Sequence, residues 1–242
     1  MTKTELIEQV EQVFPFGSRV YGTEREDSDH DFVAVLKKGI QKKDSILNFG
    51  DYHYQVYTHE EFVAKIEAHD IQALECIFLH KDKWLKFRST LDYSIFYKLN
   101  LNKLRESIST ISNNSWVKCK KKLIISGDYD KLAALKSCFH SFRILDLGIQ
   151  LAREPYTLNY SNKNYIWNEL WKLGLEYDAD ILWEKINAKY KSQFNALSSE
   201  FKLLAPKDLK VSDKQRELKN LLVDNGIYTP ELILQINEIF DN

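Results

Sequence analysis

The sequence predicts an α+β protein. A small α/β domain around a mixed sheet is expected in residues 1–90, and a mainly α-helical domain over 91–242. Three observations carry this. Strand signals are confined to the first third of the chain: the apolar run Phe32-Val33-Ala34-Val35-Leu36, and the aromatic, β-branched alternation from Asp51 to Thr58. Beyond Leu91 strand signals vanish and apolar residues recur at helical spacing. Glycine and proline number only 8 and 4 in 242 residues, so few turns interrupt those runs.

The elements follow in order. Leu6, Ile7, Val10 and Val13 share one stripe, which predicts a helix over Thr4 to Val13 with Thr4 as its N-cap. Val13 to Phe16 then forms a short strand that runs into a Gly17-Ser18 turn. Phe32 to Lys37 is a strand buried on both faces, because its apolar run does not alternate. Lys37 to Asp44 is a polar excursion, and Asp51 to Thr58 is the third strand. Helices are expected over Glu60 to Ala68 and Asp70 to Leu79, with Asp70 capping the second. Trp84 to Phe87 is a short apolar patch in a loop or edge strand. The second part predicts helices near 91–111, 115–125, 129–153, 163–173, 178–198, 209–223 and 230–240. Pro155, Gly174, Pro206 and the Gly226 to Pro230 stretch punctuate them.

Composition excludes several classes. With 34 basic and 35 acidic residues, nucleic acid would have to be held by a local patch and not by bulk charge. Cys76, Cys119 and Cys138 are odd in number and far apart in sequence. They read as buried thiols of a reducing compartment, not as a disulfide framework or a CxxC site. Thr2 to Val13 is amphipathic and acidic, unlike a signal peptide, and no apolar run approaches the ~20 residues of a membrane span. The expectation is a cytoplasmic protein with no membrane contact. No Walker loop, GxSxG elbow or HExxH motif occurs.

The chemistry is concentrated in Gly17-Ser18-Arg19-Val20-Tyr21-Gly22-Thr23 and Asp27-Ser28-Asp29-His30-Asp31. Side chains at i and i+2 of a strand point the same way, so Asp29 and Asp31 present two carboxylates from one face. Such a pair repels itself unless a cation sits between, and oxygen-only ligands suit a hard one such as magnesium. The Gly-Ser turn leaves backbone N–H groups nearby, which suit a phosphate. Metal and phosphate cradle together point to phosphoryl or nucleotidyl transfer.

Gly-Ser, four residues, Thr, four more, then Ser-Asp-x-Asp resembles the signature of the DNA polymerase beta-like nucleotidyltransferases. The stretch is similar to the minimal nucleotidyltransferases and to the predicted nucleotidyltransferases associated with RNA repair. Glu61-Phe62 and Ile71 to Phe78 resemble the segment after the third strand in those relatives, and Lys136-x-x-x-His140-x-x-Arg143 resembles one of their helix patterns. The resemblance implies transfer of a nucleoside monophosphate from an NTP to a hydroxyl, with release of pyrophosphate and with Mg2+ (or Mn2+) as cofactor. An RNA 3′ end is the first acceptor to expect; a protein hydroxyl, as in toxin-antitoxin pairs, or a small molecule is the alternative. Asp29 and Asp31 match the metal ligands, and Gly17 and Ser18 the phosphate-holding residues. Gly22, Thr23 and Ser28 shape the turn that presents the Asp pair. Arg19 is either a phosphate contact or a solvated charge.

One departure stands out. The resemblance calls for a third carboxylate on the next strand, as metal ligand and general base. Here Asp51, His53, Gln55 and Tyr57 share that face, and alignment selects His53, Gln55 or Asp51 according to a slip of two places. Asp51 is the only acid among them. His53, with an unperturbed pKa of about 6.5, would serve as ligand or base. If neither serves, the third ligand is lost. That leaves a second functional reading, a catalytically degenerate nucleotidyltransferase-fold module that binds nucleotide, RNA or a partner protein.

In the helical part, Lys136, His140 and Arg143 lie at i, i+4 and i+7 on one helix face, opposite an apolar stripe of Leu132, Leu135, Phe139, Phe142 and Leu145. Three cations there would neutralise a triphosphate. Lys118, Lys120, Lys121 and Lys122 beside Trp116 form a basic-aromatic patch suited to single-stranded nucleic acid.

Overall fold

In the computed structural model, which describes residues 2–80, 91–153 and 158–207, the first helix starts and ends earlier than its periodicity predicts. Helix α1 spans Lys3–Gln9, capped by Thr2 and not by Thr4. Thr2 Oγ1 accepts from the Glu5 N–H at 3.2 Å, and Glu5 Oε2 accepts from the Thr2 N–H at 2.6 Å. This reciprocal pair satisfies two of the donors a helix start leaves open. Strand β1 then covers Val10–Phe16. Leu6, Val10 and Val13 all pack into one cluster, so the helical stripe continues without a break into strand residues. That continuity is why periodicity alone overruns the helix.

Strands β2 (His30–Leu36), β3 (Ile46–Phe49) and β4 (Tyr52–Tyr57) complete a mixed sheet of order β1-β2-β4-β3. The pair β2–β4 is parallel; β1–β2 and β3–β4 are antiparallel. Strand β3 goes unseen in the sequence, because only Leu47 of its four residues is buried and polar residues surround it. Strand β2, at the centre, is buried on both faces as expected. Phe32, Ala34 and Leu36 enter a cluster with Leu6, Val10 and Val13; Val33 and Val35 enter the larger core shared with the helices. Period two then places Asp31 on the Val33 side, toward the helices.

Helix α3 (His59–Glu67) starts at the capping box Thr58–Glu61, and α4 (Ile71–Ile77) at Asp70, whose carboxylate accepts from the Ala73 N–H. The two helices expected over 91–111 and 115–125 are one, α5 (Leu101–Ile124), capped by Asn100 and preceded by a 3-10 turn over Tyr93–Phe96. The polar stretch from Ser112 to Ser115 does not break it. Ser112 is buried and its hydroxyl donates to the Ser109 carbonyl within the helix. Helices α6 (Lys131–Leu151), α7 (Asn164–Glu176) and α8 (Ala179–Leu204) follow. Gly174 does not end α7. A Cβ there would lie 2.6 Å from Leu135 Cδ1, so glycine permits close helix packing.

Trp116 faces the core, stacked on Phe194 at 4.9 Å and 6% exposed, so it offers no platform to nucleic acid. The three cysteines are buried and free. Residues 1–206 form one unit; of the second, 207–242, only Lys207 is described. The Trp84 to Phe87 patch, Pro155, the boundary near residue 90, the helices expected over 209–223 and 230–240, and the Gly226 to Pro230 stretch lie outside the described residues. No described helix is long and apolar enough to cross a membrane.

Candidate active site

Strand β1 ends at Phe16, and the chain turns at Gly17 into the one-turn helix α2 (Ser18–Tyr21). Gly17 has φ +78° and ψ −157°, a region open essentially to glycine alone. A Cβ there would also lie 2.5 Å from Asp31 Oδ2. Glycine is thus required twice, by the turn and by the approach of the carboxylate. Gly22 ends α2 in the left-handed conformation, with the Thr23 N–H donating to the Ser18 carbonyl at 3.0 Å.

The loop from Thr23 to Asp29 is held from both sides. Ser28 Oγ accepts from the Arg25 N–H at 2.8 Å. Arg19 donates to the carbonyls of Ser28, at 2.7 Å, and Asp29, at 3.3 Å. Arg19 therefore fastens the segment that delivers the carboxylates. It lines a different pocket, with Leu158 and Tyr160, and not the cleft that holds Asp29 and Asp31.

Parallel pairing sets Asp31 beside His53 across β2 and β4. His53 Nδ1 lies 3.6 Å from Asp29 Oδ2 and 3.8 Å from Asp31 Oδ1. The other two candidates for the third position are elsewhere. Asp51 sits in the turn before β4, exposed, and its carbonyl accepts from the His30 N–H at 2.8 Å. Gln55 accepts from Gln72, which in turn accepts from the Tyr57 hydroxyl. Burial raises the Asp31 carboxyl above its ordinary value and Asp29 adds to that; His53 and Lys136 act against it. Among the described residues no group of three or more His, Cys, Asp or Glu is placed to hold a metal ion. An open carboxylate pair is nevertheless the arrangement that suits magnesium, which keeps water and takes its remaining ligands from phosphate.

A cleft of 560 Å³ gathers Gly17, Ser18, Thr23, Ser28, Asp29 and Asp31 on one side. Lys118 from α5 and Lys136, His140 and Arg143 from α6 line the other. The last three share a wall as their spacing predicts, but not a charge state. Lys136 is exposed. His140 is pushed down to about 3, first by burial, then by Arg143, Lys136 and Lys118. It is neutral, and its Nδ1 accepts from Arg143 Nε at 3.2 Å, which leaves the proton on Nε2. Arg143 is buried in an ion pair with Glu75 of α4. Burial alone would lower its pKa; Glu75 and Tyr21 hold it raised. Its guanidinium lies 3.7 Å from the Tyr21 ring, and the Tyr21 hydroxyl donates to Glu75 at 3.0 Å. Asn164, at the start of α7, donates to the carbonyls of Tyr21 and Gly22. The helices thus clamp α2 from behind, while Lys118 and Lys136, both exposed, provide the positive charge of the cleft.

Residues 2–97 match the family model of the nucleotidyltransferase domain. No curated protein matches the chain. The match covers α1 to α4 and the whole sheet, and it ends before α5. The chain therefore carries an N-terminal nucleotidyltransferase domain with a small mixed sheet, followed by a mainly helical part, as the sequence predicts. The superfamily expected from the signature is supported, and with it transfer of a nucleoside monophosphate from a nucleotide substrate as the general activity.

Proposed function

We propose that the chain is a metal-dependent nucleotidyltransferase that moves a nucleoside monophosphate from an NTP to a hydroxyl, with an RNA 3′ end as the acceptor. The observation that carries it is the convergence of Asp29 and Asp31 with the Gly17-Ser18 turn in a cleft lined by Lys118 and Lys136. Two carboxylate donors, one of them raised by burial, fit a hard divalent cation. Bound by Asp29 and Asp31, Mg2+ or Mn2+ would acidify the acceptor hydroxyl and neutralise triphosphate charge.

The chain's own groups do the rest. Ser18 and the turn backbone orient the phosphates. Lys118 and Lys136 offset charge on the departing pyrophosphate, and His140 offers a neutral N–H donor. His53 accepts the proton of the attacking hydroxyl. The new bond joins the acceptor oxygen to the α-phosphorus, the α–β bridge breaks, and pyrophosphate leaves with that electron pair. The same reading assigns the chemistry to residues 1–90 and completion of the cleft to α5, α6 and α7 of the helical part, in the cytoplasm, where free thiols persist. The association with RNA repair rests on resemblance alone: of the signature, of Glu61-Phe62 and Ile71 to Phe78, and of the Lys136 to Arg143 helix pattern.

One observation favours the second reading, a degenerate binding module: the group beside the carboxylate pair is an imidazole and not a third acid. Incubation with each α-labelled NTP, Mg2+ or Mn2+, and a small-RNA pool separates the two. Label on RNA establishes transfer, and label on the protein itself points to a protein hydroxyl. Nucleotide binding without label on either supports the binder. Asp29→Ala is the control: its side chain is about half exposed, so the fold is expected to persist while transfer is abolished. Activity retained in that variant would sink the assignment.

A further inference from the structure

Beside the cleft lies a second pocket of 780 Å³. It shares Arg25, Asp27 and Trp167 with the cleft and adds Glu26, Asn168, Trp171 and Lys172. Trp167 and Trp171 are one turn apart on α7, with ring centroids 5.8 Å apart and planes inclined at 40°. Trp167 is 8% exposed, while Trp171 is half-buried. The Arg25 guanidinium lies 5.2 Å from the Trp171 ring. Asp27 accepts from two of its nitrogens, which neutralises that charge and fixes its plane.

These groups suit a particular ligand. An Arg already committed to Asp27 is a poor receptor for phosphate but keeps a flat face for stacking. The half-buried Trp171 indole adds aromatic surface, and the buried Trp167 backs it. Asn168 is exposed, and its amide offers both a donor and an acceptor to a ring edge. Lys172 is exposed beside them, a cation for a nucleotide backbone. Flat, edge-polar and attached to an anion describes a nucleobase. Asp27 is also two residues from Asp29, on the loop that delivers the carboxylates. A base held here would therefore lie next to the cleft that holds the carboxylates.

We infer that the Trp167–Trp171 pocket is a nucleobase subsite adjoining the catalytic cleft; the inference rests on the nucleotidyl-transfer reading above. The base comes either from the acceptor RNA or from the NTP. Calorimetric titration of the full chain in Mg2+ distinguishes them, using three probes: inorganic tripolyphosphate, ATP and a short single-stranded RNA. The variants are Trp171→Ala and Trp171→Phe, with melting curves to confirm folding. Loss of one stacked base weakens binding by about 5- to 150-fold. Trp171→Ala should show that loss for RNA if the pocket takes the acceptor, or for ATP if it takes the donor base. Trp171→Phe should keep most of the affinity, and tripolyphosphate should bind all three proteins alike. RNA and ATP binding changed less than twofold in Trp171→Ala would overturn the subsite. So would a wild type that binds tripolyphosphate but binds ATP no tighter and RNA not at all; the phosphate cleft would then stand. A wild type that binds none of the three overturns the nucleotide reading and the subsite together.

Discussion

Removing Glu75 is expected to damage the fold severely. The Arg143–Glu75 pair joins α6 to α4, with side chains only 7% and 2% exposed. Glu75→Leu conserves volume approximately but leaves a buried guanidinium without a counter-charge. The penalty for such a broken pair is about 3–5 kcal/mol. At about 2–4 °C per kcal/mol for a domain of this size, the midpoint should fall by roughly 6–20 °C. Arg143→Met strands the carboxylate instead and should cost about as much. The double variant strands no charge. It leaves the Tyr21 hydroxyl and His140 Nδ1 without their present partners, at about 1–3 kcal/mol each. At mid-range its total should therefore fall short of the sum of the singles by about 4 kcal/mol. Urea unfolding of the four proteins measures this. Additivity within about 0.5 kcal/mol, or a loss below about 1 kcal/mol in Glu75→Leu, would refute the assignment of Arg143 to the fold. A guanidinium free for triphosphate would show the reverse pattern: little loss of stability in Arg143→Met and a large loss of nucleotide affinity.

Gly17→Ala must carry about 1–3 kcal/mol of backbone strain and push Asp31 aside. Transfer should fall about a hundredfold while far-UV circular dichroism is retained; undiminished transfer would contradict the close approach described above. His53→Ala is expected to lower kcat by about a hundredfold, and His53→Asp to restore much of it in Mg2+; equal turnover in wild type and His53→Ala would exclude the proton-accepting role. His140, held at about 3 in the fold, has an unfolded pKa of about 6.5. Its pKa is depressed, so below pH 6.5 the unfolded chain takes up the proton first. Its contribution to stability is therefore intact above pH 6.5 and declines as pH falls toward 3. His140→Asn should flatten urea-derived stability between pH 6.5 and 4 relative to wild type, and parallel profiles would show that His140 titrates normally.

The Gly17 to Asp31 segment was legible because its turn and its carboxylates are local: it is one stretch, and period two alone puts Asp29 and Asp31 on one face. His53 could not be separated from Asp51 and Gln55, because that choice depends on a parallel register between β2 and β4 that no local signal encodes. Arg143 looked like a free cation for a similar reason. Its partner Glu75 is 68 residues away, and the acid was already accounted for as part of a helix. Trp116 was misplaced because lysines at neighbouring helix positions conceal that the indole points inward. Trp167 and Trp171 were visible only as apolar residues of a helix; the arginine that makes their pocket polar comes from the loop after α2.

Charge in the cleft decides how a nucleotide enters. Arg25 is paired with Asp27, Arg143 with Glu75, and His140 is neutral. Among the described residues lining the cleft, Lys118 and Lys136 remain to oppose Asp29 and Asp31. Two positive and two negative charges leave no net attraction for a triphosphate. Moreover, the acids stand beside the turn proposed to hold its phosphates. At an effective dielectric of 20, like charges 4 Å apart repel by about 4 kcal/mol. A divalent cation at the carboxylates reverses that balance. Nucleotide affinity should then be linked to the metal by the carboxylates themselves, and Asp29→Asn/Asp31→Asn should bind ATP without divalent ions more tightly than wild type does, though it transfers nothing.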